Sequence, residues 1–192
     1  MLGTAGEWKR LDRSRVYFNS AGRTPLPLCA ARVGEAALPR KASTPWEIGD
    51  TAADRDAVRA LFARLLGTEV EPSEVAIVPS TSYAMSLAAR ALSARLTRSR
   101  PAVLVLRGQN PSNVMAWQAL CEERQGELAI VAADGAGGDW TAAVLSRLAV
   151  GDVAVCAVPP AHWCDGALLD LHAVGDGCRA VDMGTIFHVT GW

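Results

Sequence analysis

Three consecutive hydroxyl side chains, those of Ser80, Thr81 and Ser82, lie where a short apolar run is followed by a helical pattern. The first turn of a helix has unpaired backbone N–H groups and the positive end of the helix dipole, so hydroxyls there can complete a phosphate-binding site. Serine and threonine are also the favoured capping residues of any helix. The segment therefore predicts either a phosphate site or an ordinary helix cap.

Two further polar segments follow apolar runs in the same way. Residues 109–113 (Gln-Asn-Pro-Ser-Asn) come after the run at 102–106, and Asp182 ends a weak run at 180–182. The carboxyl ends of parallel strands line one crevice of an open sheet, so we expect the three segments to converge on one ligand. A phosphate at the first segment, a flat ring at the second and a carboxylate beneath a ring nitrogen together describe a pyridine cofactor.

An alternation of apolar runs with helical segments would position these side chains. The runs lie at residues 75–78, 102–106, 128–131, 153–158 and, more weakly, 180–182. This alternation predicts an α/β fold with a mostly parallel sheet that is covered by helices on both faces.

The segments between the runs carry apolar residues at helical spacing. A helix is predicted between Asp54 and Leu66 and should stop at Gly67, and its apolar stripe consists of Val58, Leu61, Phe62, Leu65 and Leu66. Two later stripes are predicted to pack on the sheet, namely Met85, Ala89, Leu92 and Leu96, and Val114, Trp117 and Leu120. Because prolines interrupt the first fifty residues, residues 1–50 are predicted to form an arm with one short helix at 28–37, followed by the main domain at 51–192.

The composition excludes several classes of protein. The 192 residues are 50% hydrophobic, and 19 basic residues face 20 acidic ones for a net charge of -1, which is typical of a globular domain. This balance gives no basic field for nucleic acid or an anionic membrane. No apolar stretch reaches the about 18 residues of a membrane helix, and the N-terminus lacks a signal core, so we expect a cytoplasmic protein. The five scattered cysteines predict reduced, mostly buried thiols and no metal site.

Four motifs, in this order and spacing, resemble the class V aminotransferases, a family that includes the cysteine desulfurases. They are YFNSAGRTPLP at residues 17–27, VPSTSY at 78–83, QNPSNVMAW at 109–117 and HWCDGALLDL at 162–171. The resemblance implies the fold of the aspartate aminotransferase type, a three-layer α/β domain that uses pyridoxal 5'-phosphate (PLP). Residues 51–192 would be part of the cofactor-binding large domain, incomplete at its C-terminal end.

The resemblance also implies roles for individual residues. Thr81 and Ser82 would hold the cofactor phosphate, and Asp182 would keep the pyridine nitrogen protonated so that the ring can act as an electron sink. Asn19 belongs to an arm that approaches the substrate side. His162 lies where the chain passes the edge of the cofactor, and a structural, hydrogen-bonded role is the alternative for it.

Two positions depart from the family pattern. Asn110 stands where the family has an aromatic residue or histidine that stacks on the ring, and Thr185 stands where it has a glutamine that binds the phenolic oxygen. The family's Schiff-base lysine follows the Asp-containing strand, whereas this chain has only Lys9 and Lys41. The catalytic residue that the family requires is therefore not identified in this sequence.

Two explanations for the absence of a Schiff-base lysine stay open. The chain is either a truncated product of a longer gene or a natural short protein that has lost catalysis. In either case the resemblance implies chemistry on an amino acid substrate, transamination or desulfuration and elimination, in a homo-oligomer. A non-catalytic PLP-binding module and a dimerisation remnant are the alternatives. A thiol nucleophile at Cys164, two residues after His162, is a third type of site that the sequence allows.

Overall fold

The computed structural model describes residues 12, 14–19, 22–67, 69–134, 137–181 and 184–187. They form two compact units that meet in sequence between Ile77 and Val78. In the described ranges, the first unit has helices and no strand, and the second contains a parallel sheet. None of the described helices is long and apolar enough to cross a membrane.

Two helices, α1 (Leu28–Ser43) and α2 (Ala52–Leu66), make up most of the first unit. Short 3-10 helices follow them at Pro45–Glu47 and Pro72–Glu74. The helix predicted at 28–37 is present as α1, which continues six residues further than the sequence pattern indicated.

The apolar stripe of α2 is exposed. The helix itself is confirmed and ends where predicted, since the Gly67 N–H bonds the Ala63 carbonyl as its C-terminal cap. The exposed fraction of the stripe side chains, however, ranges from 48% at Phe62 to 79% at Leu65. Among the described residues of this unit only Ala63 is buried. An amphipathic helix with an exposed apolar face is typical of a surface that contacts a further partner.

The second unit alternates helices and strands along the chain. Its elements are α3 (Thr81–Leu92), β1 (Ala102–Leu106), α4 (Pro111–Arg124), β2 (Glu127–Val131), α5 (Trp140–Leu148), β3 (Val153–Val158), α6 (Leu171–Ala180) and β4 (Gly184–Phe187). The strands form one parallel sheet in the order β2-β1-β3-β4. Each crossover is a helix, as parallel pairing requires. The predicted α/β class is therefore confirmed.

Helices cover both faces of the sheet, which gives three layers. Leu104 and Leu106 of β1 pack with Trp140, Val144 and Val174 on the face covered by α5 and α6. The intervening residues of the same strand pack on the opposite face with residues of α3 and α4, and this second cluster comprises Ala89, Val103, Val105, Trp117, Leu120, Cys121, Ala154, Val155 and Ala157. Two helical stripes predicted to lie on the sheet thus do so, and the core is divided by strand alternation.

Two predicted strands are wrong. Residues 75–78 follow a 3-10 helix and are not a strand, and Ile77 is 53% exposed. A run of apolar residues forms a strand only where another strand offers a hydrogen-bonding ladder. None of the described strands pairs with residues 75–78. The weak strand at 180–182 is also misplaced, because α6 extends to Ala180 and the last strand runs from Gly184 to Phe187.

Most of the five thiols are buried, as predicted. The buried ones are those of Cys121, Cys156 and Cys178, whereas Cys29 and Cys164 are exposed. A hydrogen bond with Cys178, together with burial, raises the pKa of Cys156 well above its ordinary value. Because reaction needs an accessible thiolate, we expect a chromogenic disulfide reagent to modify two thiols quickly in the native chain and all five after denaturation. Fast modification of three or more thiols in the native chain would contradict this packing.

Candidate functional site

Helix α3 begins at the hydroxyl-rich segment. Ser80 has extended backbone angles, and its Oγ accepts a hydrogen bond from the Tyr83 N–H at 3.2 Å. This is the capping arrangement, so the cap hypothesis holds for Ser80. Thr81 and Ser82 occupy the first turn, where backbone N–H groups have no partner within the helix. Their hydroxyls therefore lie at the positive end of the helix dipole.

Helix α4 begins next to the start of α3. The Asn110 side chain accepts a hydrogen bond from the Ser112 N–H at 3.0 Å, and Pro111 fills the first helical position, where its missing N–H costs nothing. The Ser82 Oγ and Ser112 Oγ atoms are 3.3 Å apart and share a hydrogen bond. Two helix N-termini and two hydroxyls thus meet at one place, which we call the α3–α4 junction.

A buried pair of carboxamides ties the loop between β1 and α4 to strand β3. Gln109 Nε2 donates to the Ala157 carbonyl at 3.2 Å, and Asn113 Nδ2 donates to the same oxygen at 3.1 Å. Gln109 Oε1 accepts from the Leu106 N–H at 2.8 Å, and Asn113 Oδ1 accepts from the Trp117 indole at 2.9 Å. Both carboxamides are therefore bonded at both ends, as burial of a polar group requires.

His162 approaches the same loop from the chain that follows β3. Its Nε2 atom donates to the Arg107 carbonyl at 3.0 Å, and its ring stacks on Trp140 with 4.4 Å between centroids. Its Nδ1 atom lies 3.1 Å from Asp165 Oδ1, without the alignment of a hydrogen bond. His162 is therefore buried and hydrogen-bonded in this structure.

The next two side chains, Trp163 and Cys164, both donate to the Gly108 carbonyl.

Acidic side chains are stabilised in their ionised form at this edge of the sheet. A hydrogen bond from the Ala167 N–H lowers the pKa of Asp165, and the Trp140 indole donates to the same carboxylate at 3.2 Å. A hydrogen-bonded ion pair with Arg107 lowers the pKa of Asp134, and the same pair raises the pKa of Arg107. Since both partners of that pair are largely exposed, it stabilises the fold little.

The structure brings several of the predicted site residues together. Thr81 and Ser82 open α3, Asn110 caps α4 beside them, and His162 contacts the loop that leads to Asn110. The cofactor roles assigned to these four residues stay predictions.

Three other predicted site residues are placed differently or not at all. Asn19 lies in the first unit, where its carbonyl accepts hydrogen bonds from the Tyr17 hydroxyl and the Arg23 N–H. Asp182 lies outside the described residues. Thr185 pairs with Cys156 in the register of β3 and β4.

Sequence reasoning missed the roles of Gln109, Asn113 and Trp140. Gln109 and Asn113 lie in the motif at residues 109–117, and with His162 they are the buried polar residues of the described chain. A usable signal was present for Asn113, which lies four residues before Trp117, the helical spacing at which an amide and an indole meet. No local signal pointed to Trp140, whose partners come 22 and 25 residues later.

The α3–α4 junction has the chemistry to hold a phosphate group. A phosphate presents acceptor oxygens and negative charge. The junction presents the N-terminus of α3, the Ser112 hydroxyl, which accepts the bond from Ser82 and keeps its own proton, and the Ser82 hydroxyl, which can donate to a phosphate once it releases Ser112. The donor set therefore fits the phosphate of PLP. Asn110, at the start of α4, has no aromatic face that could stack on the ring of the cofactor.

Comparisons with known proteins agree with this fold. The sequence matches the class V aminotransferase family over residues 16–191. The fold is similar to a lysine-to-alanine mutant of C-DES with glycine covalently linked to its PLP cofactor, at 16% identity and a TM-score of 0.71, covering 95% of this chain and 47% of that one. No curated protein matches the sequence significantly.

Two further structures give the same result. The apo cysteine desulfurase of Thermococcus onnurineus NA1 is 13% identical with a TM-score of 0.68, covering 88% of this chain and 42% of that one. The cystine C-S lyase C-DES, in complex with its product cysteine persulfide, is 18% identical with a TM-score of 0.65, covering 88% of this chain and 44% of that one. At these identities the likeness shows the PLP-dependent transferase fold, and the chain spans less than half the length of these structures.

Proposed function

This chain belongs to the class V aminotransferase family, and we propose that its α3–α4 junction binds the phosphate group of PLP. The observation that carries this proposal is the 3.3 Å contact between the hydroxyls of Ser82 and Ser112. It brings the starts of two helices to one point, so a phosphate there would meet hydroxyl donors and the positive end of the α3 dipole. Thr81, in the same turn, would add a third hydroxyl.

The rest of the proposed site follows from the family pattern. PLP, when bound, supplies an electron sink for reactions at the α-carbon of an amino acid. Asp182 would hold the pyridine nitrogen protonated, and Asn110 and Thr185 would lie near the ring. His162 would keep its side of the site in place through its bond to the Arg107 carbonyl. Asn19 would approach the substrate side, and the substrate would be an amino acid that undergoes transamination or desulfuration and elimination.

The lysines of this chain lead to a narrower proposal about these 192 residues. The two lysines are Lys9 and Lys41. Lys41 lies in α1, and the proposed cofactor motifs begin only at residue 78. We propose that these residues hold PLP without a covalent link and are not catalytic by themselves.

A second candidate function is self-association. The exposed stripe of α2, with Leu65 79% exposed, favours a homo-oligomer in which this face is covered by another copy. In that case the chain could be a dimerisation remnant that no longer binds the cofactor. Cofactor binding separates the two candidates.

The test is an equilibrium titration of the chain with PLP and, separately, with pyridoxal, which lacks the phosphate. We expect PLP to bind more tightly, and Ser82→Ala to weaken PLP binding about tenfold or more, because hydrogen bonds to charged groups contribute roughly 1.5–3 kcal/mol. Ser146→Ala, which removes an exposed hydroxyl from α5, is the matched control and should change nothing. Equal affinities for PLP and pyridoxal, or an unchanged affinity in Ser82→Ala, would contradict the proposal.

A further inference from the structure

The chain leaves the sheet toward opposite faces after its two central strands. From β1 it enters α4, which packs with Val103 and Val105, and from β3 it enters α6, which packs on the opposite face. In parallel α/β sheets such a divergence opens a crevice between the carboxyl ends of the two strands. In this protein the two carboxamides bond to the Ala157 carbonyl between these two strand ends.

We propose that Asn113 and Gln109 are positioning residues, which lock the loop between β1 and α4 to strand β3 and thereby fix the first turn of α4. Their Nδ2 and Nε2 atoms converge on the Ala157 carbonyl oxygen, which has two lone pairs and can accept both bonds. The bonds join residues that are 44 and 48 positions apart. They therefore connect the two strands at the point where the chain diverges.

The carboxamide group suits this position for a chemical reason. Asn113 is 0% exposed and must donate to a carbonyl at one end and accept an indole N–H at the other. A neutral carboxamide does both, whereas a carboxylate only accepts and would carry an unpaired buried charge. Gln109 meets the same double demand, since it donates to β3 and accepts the Leu106 N–H at the end of β1.

The two carboxamide bonds to the Ala157 carbonyl determine the geometry of the α3–α4 junction. Asn113 follows Ser112 directly, and its N–H bonds the Asn110 carbonyl within the first turn of α4. Anchoring Asn113 to β3 thus sets where the Ser112 hydroxyl meets Ser82. This consequence rests on the proposed function, because it predicts that a residue without access to the cofactor determines how well the phosphate is bound.

Two measurements on the full chain test the proposal. The first is residue-resolved hydrogen exchange, and the second is the ratio of PLP to pyridoxal affinity. In Asn113→Leu we expect the amides of residues 107–110, 112 and 113 to lose protection about tenfold or more, while those of β1 and β2 keep theirs. We expect the PLP-to-pyridoxal affinity ratio to fall about tenfold. Gln118→Leu, on the exposed face of α4, is the matched control and should leave both measurements unchanged.

The outcomes are distinguishable. Unchanged protection at residues 107–113 would overturn the proposal, and so would an equal loss at all amides, which would show a merely global contribution to stability. If Asn113→Leu does not fold, Gln109→Leu decides, because it removes one of the two bonds to Ala157 and leaves the other. This variant also removes the acceptor of the Leu106 N–H, so the Leu106 amide is left out of the comparison with β1. If the unsubstituted chain shows no preference for PLP, the proposed function fails. Hydrogen exchange alone then still supports or overturns the positioning role of Asn113 and Gln109.

Discussion

Replacing Trp117 by alanine should lower the free energy of unfolding by roughly 3–5 kcal/mol, the usual cost of removing a large buried aromatic side chain. Trp117 is 0% exposed and lies at the centre of the core between α4 and the sheet. Its indole also satisfies the Asn113 carboxamide oxygen at 2.9 Å, so the substitution leaves a cavity and an unpaired buried acceptor. Urea denaturation followed by far-ultraviolet circular dichroism measures the loss.

The control for this substitution is another tryptophan. Trp46 is 78% exposed, and Trp46→Ala should change the free energy of unfolding by no more than about 0.5 kcal/mol. Similar losses for the two variants would contradict the assignment of Trp117 to the core.

Gly126→Ala should also be strongly destabilising, by roughly 1–3 kcal/mol, as is common when a well-packed site receives an extra carbon. A Cβ atom at Gly126 would lie 2.7 Å from the Pro101 carbonyl oxygen and 2.8 Å from Leu96 Cδ2. The Pro101 oxygen is fixed because it accepts the Glu127 N–H at 2.8 Å, where β2 begins beside β1. The methyl group must therefore displace backbone at the start of a strand pair.

Gly34→Ala provides the opposite case. Gly34 lies inside α1, and a Cβ atom there would have nothing within 4 Å, so alanine should not lower stability. The measurement is the same denaturation curve for both variants. A Gly126→Ala protein as stable as the unsubstituted chain would show that the start of β2 is not packed as described.

The strands in the centre of the sheet could be predicted from sequence because strands buried on both faces have unbroken apolar runs. The runs at Ala102–Leu106 and Val153–Val158 are apolar at every position, as strands covered on both faces must be, and both were predicted with the correct bounds. The run at 75–78 has the same composition but is not a strand. Apolar composition states that a segment can be buried, whereas pairing depends on a neighbour that the segment does not encode.

The helix of α2 was likewise predictable and its surroundings were not. Its period comes from residues three and four apart, which a local reading detects. Whether Phe62 or Leu65 is covered depends on what packs against the helix, and in the described residues of the first unit these side chains are exposed.

The candidate site divides in the same way. The hydroxyls of Thr81 and Ser82 were found because helix starts have a recognisable local chemistry. The carboxamides of Gln109 and Asn113 were overlooked because their shared acceptor, the Ala157 carbonyl, lies more than forty residues later. Such a bond exists only after the sheet has brought β1 and β3 together.

The most direct test of the account is a crystal structure of this chain with PLP. We expect phosphate oxygens within about 2.5–3.2 Å of the Ser82 and Ser112 hydroxyls, at the first turn of α3. A phosphate bound elsewhere on the protein, or a junction that stays empty at saturating PLP, would contradict it.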